Sequence, residues 1–203
     1  MRLHDYFDFS AREYPDTPFA VLGDRTMTYR EAQAEVNRLA HALIGAGLQP
    51  GDRIAVLSKN SIEYAVMYYA ASKAGVVPVP MNYRLAPPEW TYIINDAGAK
   101  LVMASDAYAG AIEGIKGDLK SASAFICIGG APPAGWQAYG AFIGGQPATP
   151  PDRTVRLDDD VYQMYTSGTT GRPKGAVLTH GAVSANLVQV EPMAQAKPGE
   201  RFL

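Results

Sequence analysis

The sequence predicts an α/β fold, a mostly parallel β-sheet flanked by helices. Three short apolar runs are typical of buried strands: RIAVL at 53–57, KLVMA at 100–104 and AFICI at 124–128. Segments with helical spacing of apolar residues separate these runs, and a strand–helix–strand order is typical of parallel βαβ units. Such sheets bind ligands beyond the carboxyl ends of their strands, so we expect a functional site there.

The first clear helix begins after a capping box. Thr28 and Glu31 form a Thr-x-x-Glu pattern, which predicts that the helix starts at Tyr29. Its apolar residues recur at helical spacing and comprise Val36, Leu39, Ala40, Leu43 and Ile44. Gly47 then suits the position just after the last turn, so we expect the helix to end there.

A second helix is predicted over Ser61–Ala74. Asn60 and Glu63 repeat the capping pattern at its start, and Gly75 ends it. Because this helix is apolar on nearly all sides, we expect it to be buried. The next strand is VVPVP at 76–80, whose two prolines argue against a central position in the sheet.

The rest of the chain continues the alternation. Pro87 and Pro88 suit the first turn of a third helix, which Gly98 closes. Further helices are predicted over Ala107–Lys116, Trp136–Ile143 and His180–Val190, and further strands over Val161–Tyr165 and Ala176–Thr179. Residues 121–151 carry no charge and are rich in glycine, proline and alanine, so we interpret them as one strand and a surface connection.

Composition excludes several classes of partner. The 203 residues carry a net charge of -2 with no basic block, so nucleic acid is not expected. A single cysteine, Cys127, excludes an internal disulfide and favours a reducing compartment. The start, MRLHDYFDFS, lacks the apolar stretch of a signal peptide, and Lys73 and two prolines interrupt the most apolar run, so no membrane span is expected. We therefore predict a cytoplasmic protein.

The segment YTSGTTGRPKG at 165–175 combines groups that bind anions. Four hydroxyl residues supply hydrogen-bond donors: Thr166, Ser167, Thr169 and Thr170. Three glycines let backbone N–H groups approach a ligand closely: Gly168, Gly171 and Gly175. Lys174 adds a positive charge, and Pro173 stiffens the backbone that leads to it. Together these groups predict an oxyanion cradle suited to a polyphosphate.

Simpler interpretations of the segment fit less well. It is not a Walker A loop, because its lysine lies between Pro173 and Gly175 and a strand-like run follows. A flexible hairpin with a solvated lysine is the plainest alternative. However, about seven positions are specified together, and average residue frequencies put a chance match below roughly 10⁻⁷ per starting position. The acidic run 158–160 is interpreted as a solvated loop, since adjacent side chains converge poorly on one ion.

These residues carry a family resemblance. YTSGTTGRPKG is similar to the phosphate-loop signature of the adenylate-forming superfamily, which includes acyl-CoA synthetases, aryl-CoA ligases, luciferases and peptide-synthetase adenylation domains. TYREAQAEVNRLAHALIGAGLQPGDRIAVLSKNS and ASKAGVVPVPMNYRLAPPEW resemble earlier parts of the same enzymes. The resemblance covers nearly the whole chain, most loosely across 121–151. The order Gly-Thr-Thr-Gly favours acyl-CoA synthetases over adenylation domains.

The resemblance implies an activity and a site. Family members join a carboxylic acid to ATP, giving an acyl-adenylate and pyrophosphate, and coenzyme A then displaces AMP. By this resemblance the phosphate-binding residues are Thr166, Ser167, Gly168, Thr169, Thr170, Gly171 and Lys174. The hydroxyl of Thr166 is implied to meet Mg²⁺, and Lys174 is implied to be catalytic, by offsetting charge on the leaving pyrophosphate. The implied small molecules are a carboxylic acid, ATP, Mg²⁺ and coenzyme A.

The resemblance also implies a domain organisation. Family chains run more than twice this length, so we expect residues 1–203 to be an incomplete N-terminal, AMP-binding domain. Within it we expect a helix–strand segment at 1–50 and an α/β subdomain at 51–203 that carries the phosphate loop, with the C-terminal domain absent. The chain alone is then expected to be inactive. A non-catalytic nucleotide-binding fragment, an aryl-CoA ligase and a peptide-synthetase adenylation domain stay open as alternatives.

Overall fold

The computed structural model describes residues 1–166, 171–194 and 200. The first part of the chain forms two helices around a hairpin: α1 (Leu3–Glu13), β1 (Pro18–Leu22), β2 (Arg25–Thr28) and α2 (Tyr29–Gly45). Strands β1 and β2 pair with each other in an antiparallel sheet of two strands. The sequence patterns predicted α2 but neither α1 nor the hairpin.

A parallel sheet occupies the centre of the fold. Its elements are β3 (Arg53–Leu57), α3 (Ile62–Ala74), β4 (Val77–Pro80), α4 (Pro87–Ala97), β5 (Leu101–Ser105), α5 (Asp106–Ile115), β6 (Ala124–Ile128), β7 (Gln137–Ala138) and α6 (Tyr139–Ile143). The strand order is β4-β3-β5-β6-β7, and every pair is parallel. The predicted fold class is therefore confirmed. The proline-rich strand β4 lies at the edge, where its missing N–H groups interrupt no inner ladder.

Alternate residues of the strands face two separate cores. In β3, Ile54 and Val56 pack on the face covered by α2 and α3. Ala55 and Leu57 pack on the opposite face with residues of α4 and α5. Because helices cover both faces, the strand is apolar throughout instead of alternating. Helix α2 shares a core with β3, and the division between residues 1–50 and 51–203 stays a prediction.

The capped starts of α2 and α3 follow the predicted signals with one shift. Thr28 Oγ1 accepts a hydrogen bond from Glu31 N at 3.3 Å, and the Glu31 carboxylate accepts one from Thr28 N at 2.8 Å. At the second helix the capping residue is Ser61, not Asn60, and its Oγ accepts from Tyr64 N at 3.1 Å. The single-residue error arose because Asn and Ser are both good caps and stand next to each other.

The last described elements form a hairpin and a helix. They are β8 (Asp160–Thr166), β9 (Lys174–Thr179) and α7 (His180–Ala194). Strands β8 and β9 are antiparallel and form their own sheet of two strands. Among the helices of the described ranges, none has the length and apolar character needed to cross a bilayer.

Candidate functional site

The β8–β9 hairpin brings two predicted site residues together. Thr166 is the last residue of β8 and Lys174 the first of β9, and the two are direct partners in the antiparallel register. Both residues are exposed. A hydroxyl residue and a lysine therefore lie on neighbouring strands at the loop end of the hairpin, where the chain leaves β8 and enters β9.

The ammonium group of Lys174 has no partner among the described residues. Across the ranges that the structure describes, no hydrogen bond or ion pair engages its side chain. Gly171, a third predicted site residue, has a φ of 144°, in the region that favours glycine. The other predicted phosphate-binding residues, Ser167, Gly168, Thr169 and Thr170, lie outside the described residues.

An arginine of the central sheet fixes the base of the hairpin. The guanidinium of Arg53, on β3, forms an ion pair with Asp160 at 2.9 Å. Its Nε donates to Gln163 Oε1 at 3.3 Å. Because both partners lie on β8, this one side chain joins the hairpin to the parallel sheet.

Helix α4 contacts the loop end of the hairpin. The Tyr165 hydroxyl donates to Asp96 Oδ2 at 2.6 Å and accepts from Gln163 Nε2 at 3.1 Å. Burial of the ring, together with the Asp96 carboxylate, raises the pKa of Tyr165 well above its usual value. The phenol therefore keeps its proton and donates a hydrogen bond to the Asp96 carboxylate. On the other side of the hairpin, the Pro173 carbonyl just before β9 accepts a hydrogen bond from the Tyr92 hydroxyl at 3.1 Å.

Gly175 leaves room for these side chains. It lies opposite Tyr165 in the ladder, and a Cβ atom at this position would lie 2.9 Å from Cζ of Tyr165. The same Cβ would overlap the side-chain nitrogen of Gln163. The sequence patterns assigned Gly175 only to ligand approach; its role in packing needs the strand register, which no local pattern contains.

Two residues of the acidic run at 158–160 make local contacts at the start of β8. Asp160 pairs with Arg53, and Asp159 accepts a hydrogen bond from the backbone of Arg156 at 2.7 Å. In the part of the chain that the structure describes, no three His, Cys, Asp or Glu side chains are grouped to hold a metal ion. Thr166 is the predicted metal contact, and its hydroxyl would supply a single oxygen ligand.

An open cleft lies beside the hairpin. It has a volume of about 590 Å³ and runs between α4 and the start of β9, with Tyr92, Asp96, Lys120 and Arg172 in its walls. The Arg172 guanidinium lies 5.3 Å from the centre of the Tyr92 ring. The cleft leaves the contacts of α4 with the hairpin accessible from solvent.

The fold and hairpin define a parallel α/β protein with an exposed hydroxyl–lysine pair, and comparison with known proteins gives its family. The sequence profile described as "AMP-binding enzyme" matches residues 7–203. The chain therefore belongs to the family of AMP-binding enzymes.

Named relatives act on different acids. The chain is 38% identical over 173 residues to a fatty acid–[acyl-carrier-protein] ligase, ScoC, of Streptomyces coeruleorubidus, covering 85% of this chain and 32% of the relative. It is 36% identical to a feruloyl-CoA synthase of Amycolatopsis sp, covering 95% of this chain and 36% of the relative. The chain thus spans about a third of the length of these relatives.

A solved structure has the same fold. The crystal structure of the anthranilate CoA ligase AuaEII in complex with anthranoyl-AMP is 29% identical and superposes with a TM-score of 0.88. The match covers 94% of this chain and 37% of that one. The similarity extends from the parallel sheet to nearly the whole of the present chain.

Proposed function

We propose that this chain forms the ATP phosphate-binding part of an adenylate-forming acid–thiol ligase. The pairing of Thr166 with Lys174 carries the proposal, because it places a hydrogen-bond donor and a free positive charge next to each other at the exposed loop end of the hairpin. In the proposed reaction a carboxylate oxygen attacks the α-phosphorus of ATP, and the bond to pyrophosphate breaks. A thiol then attacks the acyl carbon, and AMP leaves.

Lys174 is proposed as the catalytic residue. Negative charge accumulates on pyrophosphate as the bond to the α-phosphate breaks, so a fixed cation near that group stabilises the transition state more than the ground state. Its side chain meets the requirement, since it has no competing anion within the described ranges. Arg172 is less suitable, because its guanidinium already lies over the Tyr92 ring.

Thr166 is proposed to contact the magnesium ion that accompanies ATP. A hydroxyl is a hard oxygen ligand, and Mg²⁺ usually takes few protein ligands and completes its shell with phosphate oxygens and water. The absence of an acidic cluster among the described side chains fits this mode of binding. Ser167, Gly168, Thr169, Thr170 and Gly171 are proposed, from the sequence alone, to hold the phosphates with Thr166.

The acid and the thiol are proposed at the level of class. The names of the relatives include a fatty acid, ferulate and anthranilate, and a carrier protein as well as coenzyme A. We propose a small carboxylic acid as the substrate and coenzyme A as the thiol, which two of these three names specify. Both ATP and coenzyme A are abundant in the cytoplasm, which we propose as the compartment.

A non-catalytic nucleotide-binding module is the second candidate. The observation that favours it is that the described site residues supply one hydroxyl and one lysine, which suffice to bind a phosphate. Both functions require the phosphate site, but only the first requires turnover in a protein that contains the chain.

Titration calorimetry with MgATP and with inorganic tripolyphosphate tests the phosphate site. Lys174→Ala is expected to weaken binding of both by roughly 10-fold or more, the scale of one hydrogen bond to a charged group. Lys120→Ala is the matched control, because Lys120 is also exposed but lies in the wall of the neighbouring cleft, outside the segment 165–175. Equal affinities of the two variants, or no binding by the wild-type chain, would contradict the proposal.

A further inference from the structure

One turn of α4 contacts both sides of the hairpin at its loop end. We propose that Tyr92 and Asp96 are positioning residues, which set where the Thr166–Lys174 pair lies relative to the parallel sheet and thereby the geometry of the phosphate site. The inference rests on the proposed function. Neither residue belongs to the segment 165–175 that resembles the family signature.

Asp96 fixes the end of β8 through Tyr165. The distance of 2.6 Å is typical of a hydroxyl that donates to a carboxylate, one of the stronger kinds of hydrogen bond. Gln163 donates to the same phenol oxygen, so the hydroxyl is held as donor and acceptor at once. Tyr165 directly precedes Thr166, and its position therefore limits where the Thr166 hydroxyl can lie.

Tyr92 fixes the start of β9 through Pro173. Its hydroxyl donates to the Pro173 carbonyl, and Pro173 directly precedes Lys174. Because the proline ring already restricts φ, holding its carbonyl leaves little freedom in the direction of the backbone at Lys174. Arg172 adds a second contact, with its guanidinium over the face of the Tyr92 ring.

The two anchors belong to one rigid element. Tyr92 and Asp96 are four residues apart, so both side chains project from the same face of the helix. The Tyr92 hydroxyl also lies 3.4 Å from Asp96 Oδ1. Buried residues hold the helix itself against the sheet, namely Trp90, Ile93 and Ile94. A single turn of a packed helix thus holds both sides of the loop end of the hairpin.

The hairpin depends on side chains for its placement. Within the described ranges β8 and β9 form a separate sheet, and no backbone ladder joins them to β4. Arg53 holds the base of the hairpin, and β8 lies alongside β4. At the loop end, where the Thr166–Lys174 pair lies, the side-chain hydrogen bonds from the hairpin to the rest of the described residues are those with α4. Loss of those contacts would let the loop end of the hairpin move relative to α4 and the parallel sheet, and a displacement of about 1 Å in a binding site can cost up to about 10²-fold in rate.

The test measures tripolyphosphate affinity and thermal stability on the full chain. Asp96→Ala, Tyr165→Phe and Tyr92→Phe are each expected to weaken affinity by about 3- to 10-fold, the effect of one lost hydrogen bond. Asp96→Asn keeps an oxygen that accepts from Tyr165, so its affinity is expected to stay within about 2-fold of the wild type. Asp96→Ala combined with Tyr165→Phe is expected to lose no more affinity than Tyr165→Phe alone, since both substitutions remove the Tyr165–Asp96 hydrogen bond.

Tyr139→Phe is the control for a purely structural effect. It breaks a hydrogen bond of 2.8 Å between a buried tyrosine and the carboxylate of Glu35, in a core away from the hairpin. It is expected to lower the melting temperature without changing the affinity. If the α4 variants behave like Tyr139→Phe, the inference is wrong while the proposed function stands. If Lys174→Ala also leaves tripolyphosphate affinity unchanged, the proposed function is wrong and the inference with it.

Discussion

Gly175 and Tyr165 face each other across the β8–β9 ladder, with no room for a methyl group between them. A Cβ on Gly175 would come within 2.9 Å of the Tyr165 ring. Its backbone is not in the left-handed region, so the requirement for glycine here comes from the neighbouring side chains. The glycine that follows the lysine of the signature is thereby linked to the contact between Tyr165 and Asp96.

We expect Gly175→Ala to displace Tyr165 and weaken tripolyphosphate binding. The added methyl must push aside the Tyr165 ring and the Gln163 amide, and overpacking of this kind costs about 1–3 kcal/mol in the free energy of unfolding. Affinity is expected to fall by at least as much as in Tyr165→Phe. Calorimetry and urea unfolding of the same samples measure the two effects.

Gly110→Ala is the matched control for this change. Gly110 lies in α5, and no atom of the described residues beyond the adjacent helix backbone lies within 4 Å of the position that an alanine Cβ would take. Helix propensity predicts a small gain in stability, up to about 1 kcal/mol, and unchanged affinity. A Gly175→Ala protein that binds as well as Gly110→Ala would contradict the packing role of Gly175.

Local patterns predicted the parts of the fold that local chemistry decides. The capping box at Thr28 and Glu31, the apolar strand at 53–57 and the edge position of the proline-rich strand all depend on a few neighbouring residues. The prediction of a single helix over Trp136–Ile143 was wrong at its start, because Gln137 and Ala138 pair with β6 as a short strand. That pairing depends on the partner strand, which propensity does not see.

The site was predicted only in part, for the same reason. Lys174 and Thr166 belong to a segment whose composition already indicates anion binding. Asp96 lies 69 positions from the tyrosine that it binds, and nothing in the sequence around it separates it from other surface acids on helices. Long-range contacts of this kind depend on how α4 packs against the sheet.

A buried lysine network should respond unequally to the loss of its two charges. Lys73 Nζ lies 2.6 Å from Asp8 Oδ1 and 2.9 Å from Asn37 Oδ1, and joins α3 to α1 and α2. The lysine side chain is 4% exposed and the aspartate 36%. Asp8→Ala leaves the buried charge of Lys73 unpaired and is expected to lower the free energy of unfolding by about 3 kcal/mol. Lys73→Met leaves a carboxylate that water can reach, so its loss of stability is expected to be smaller.

Urea unfolding of the two variants checks this order. The double variant Asp8→Ala with Lys73→Met should be more stable than Asp8→Ala alone, because it removes the unpaired buried charge of Lys73. A larger loss in Lys73→Met than in Asp8→Ala would contradict the explanation by burial.

Stability should fall in mild acid because of His4. The ring is 6% exposed and lies 2.8 Å from Ser72 Oγ. Burial, aided by the charge of Arg2, lowers the pKa of His4 to about 4, against the opposing effects of Asp5 and Asp8. The unfolded chain therefore binds more protons between about pH 6.5 and pH 4, and the free energy of unfolding decreases by up to about 3 kcal/mol as the pH falls through this window.

Urea unfolding at several pH values between about 7 and 4 measures the effect. His4→Asn removes the titrating group, so its stability should decrease less steeply over the same window. Burial also lowers the pKa of His180, whose Nδ1 accepts a hydrogen bond from Leu3 N. In His4→Asn this group is expected to leave a smaller decrease of the free energy of unfolding as the pH falls. Parallel pH profiles for wild type and His4→Asn would exclude His4 as the cause.

The last prediction separates binding from turnover. The described site offers one hydroxyl and one free lysine, and the chain spans about a third of the relatives' length. We therefore expect the 203-residue chain to bind tripolyphosphate but to release no AMP when mixed with ATP, Mg²⁺, coenzyme A and a panel of fatty and aromatic acids. In a longer protein that contains the chain, Lys174→Ala is expected to slow pyrophosphate exchange by roughly 10- to 10³-fold at saturating acid, the effect of one electrostatic donor. AMP release by the chain alone at about 1 s⁻¹ or faster would show that these residues suffice for catalysis, since enzymes typically reach that rate.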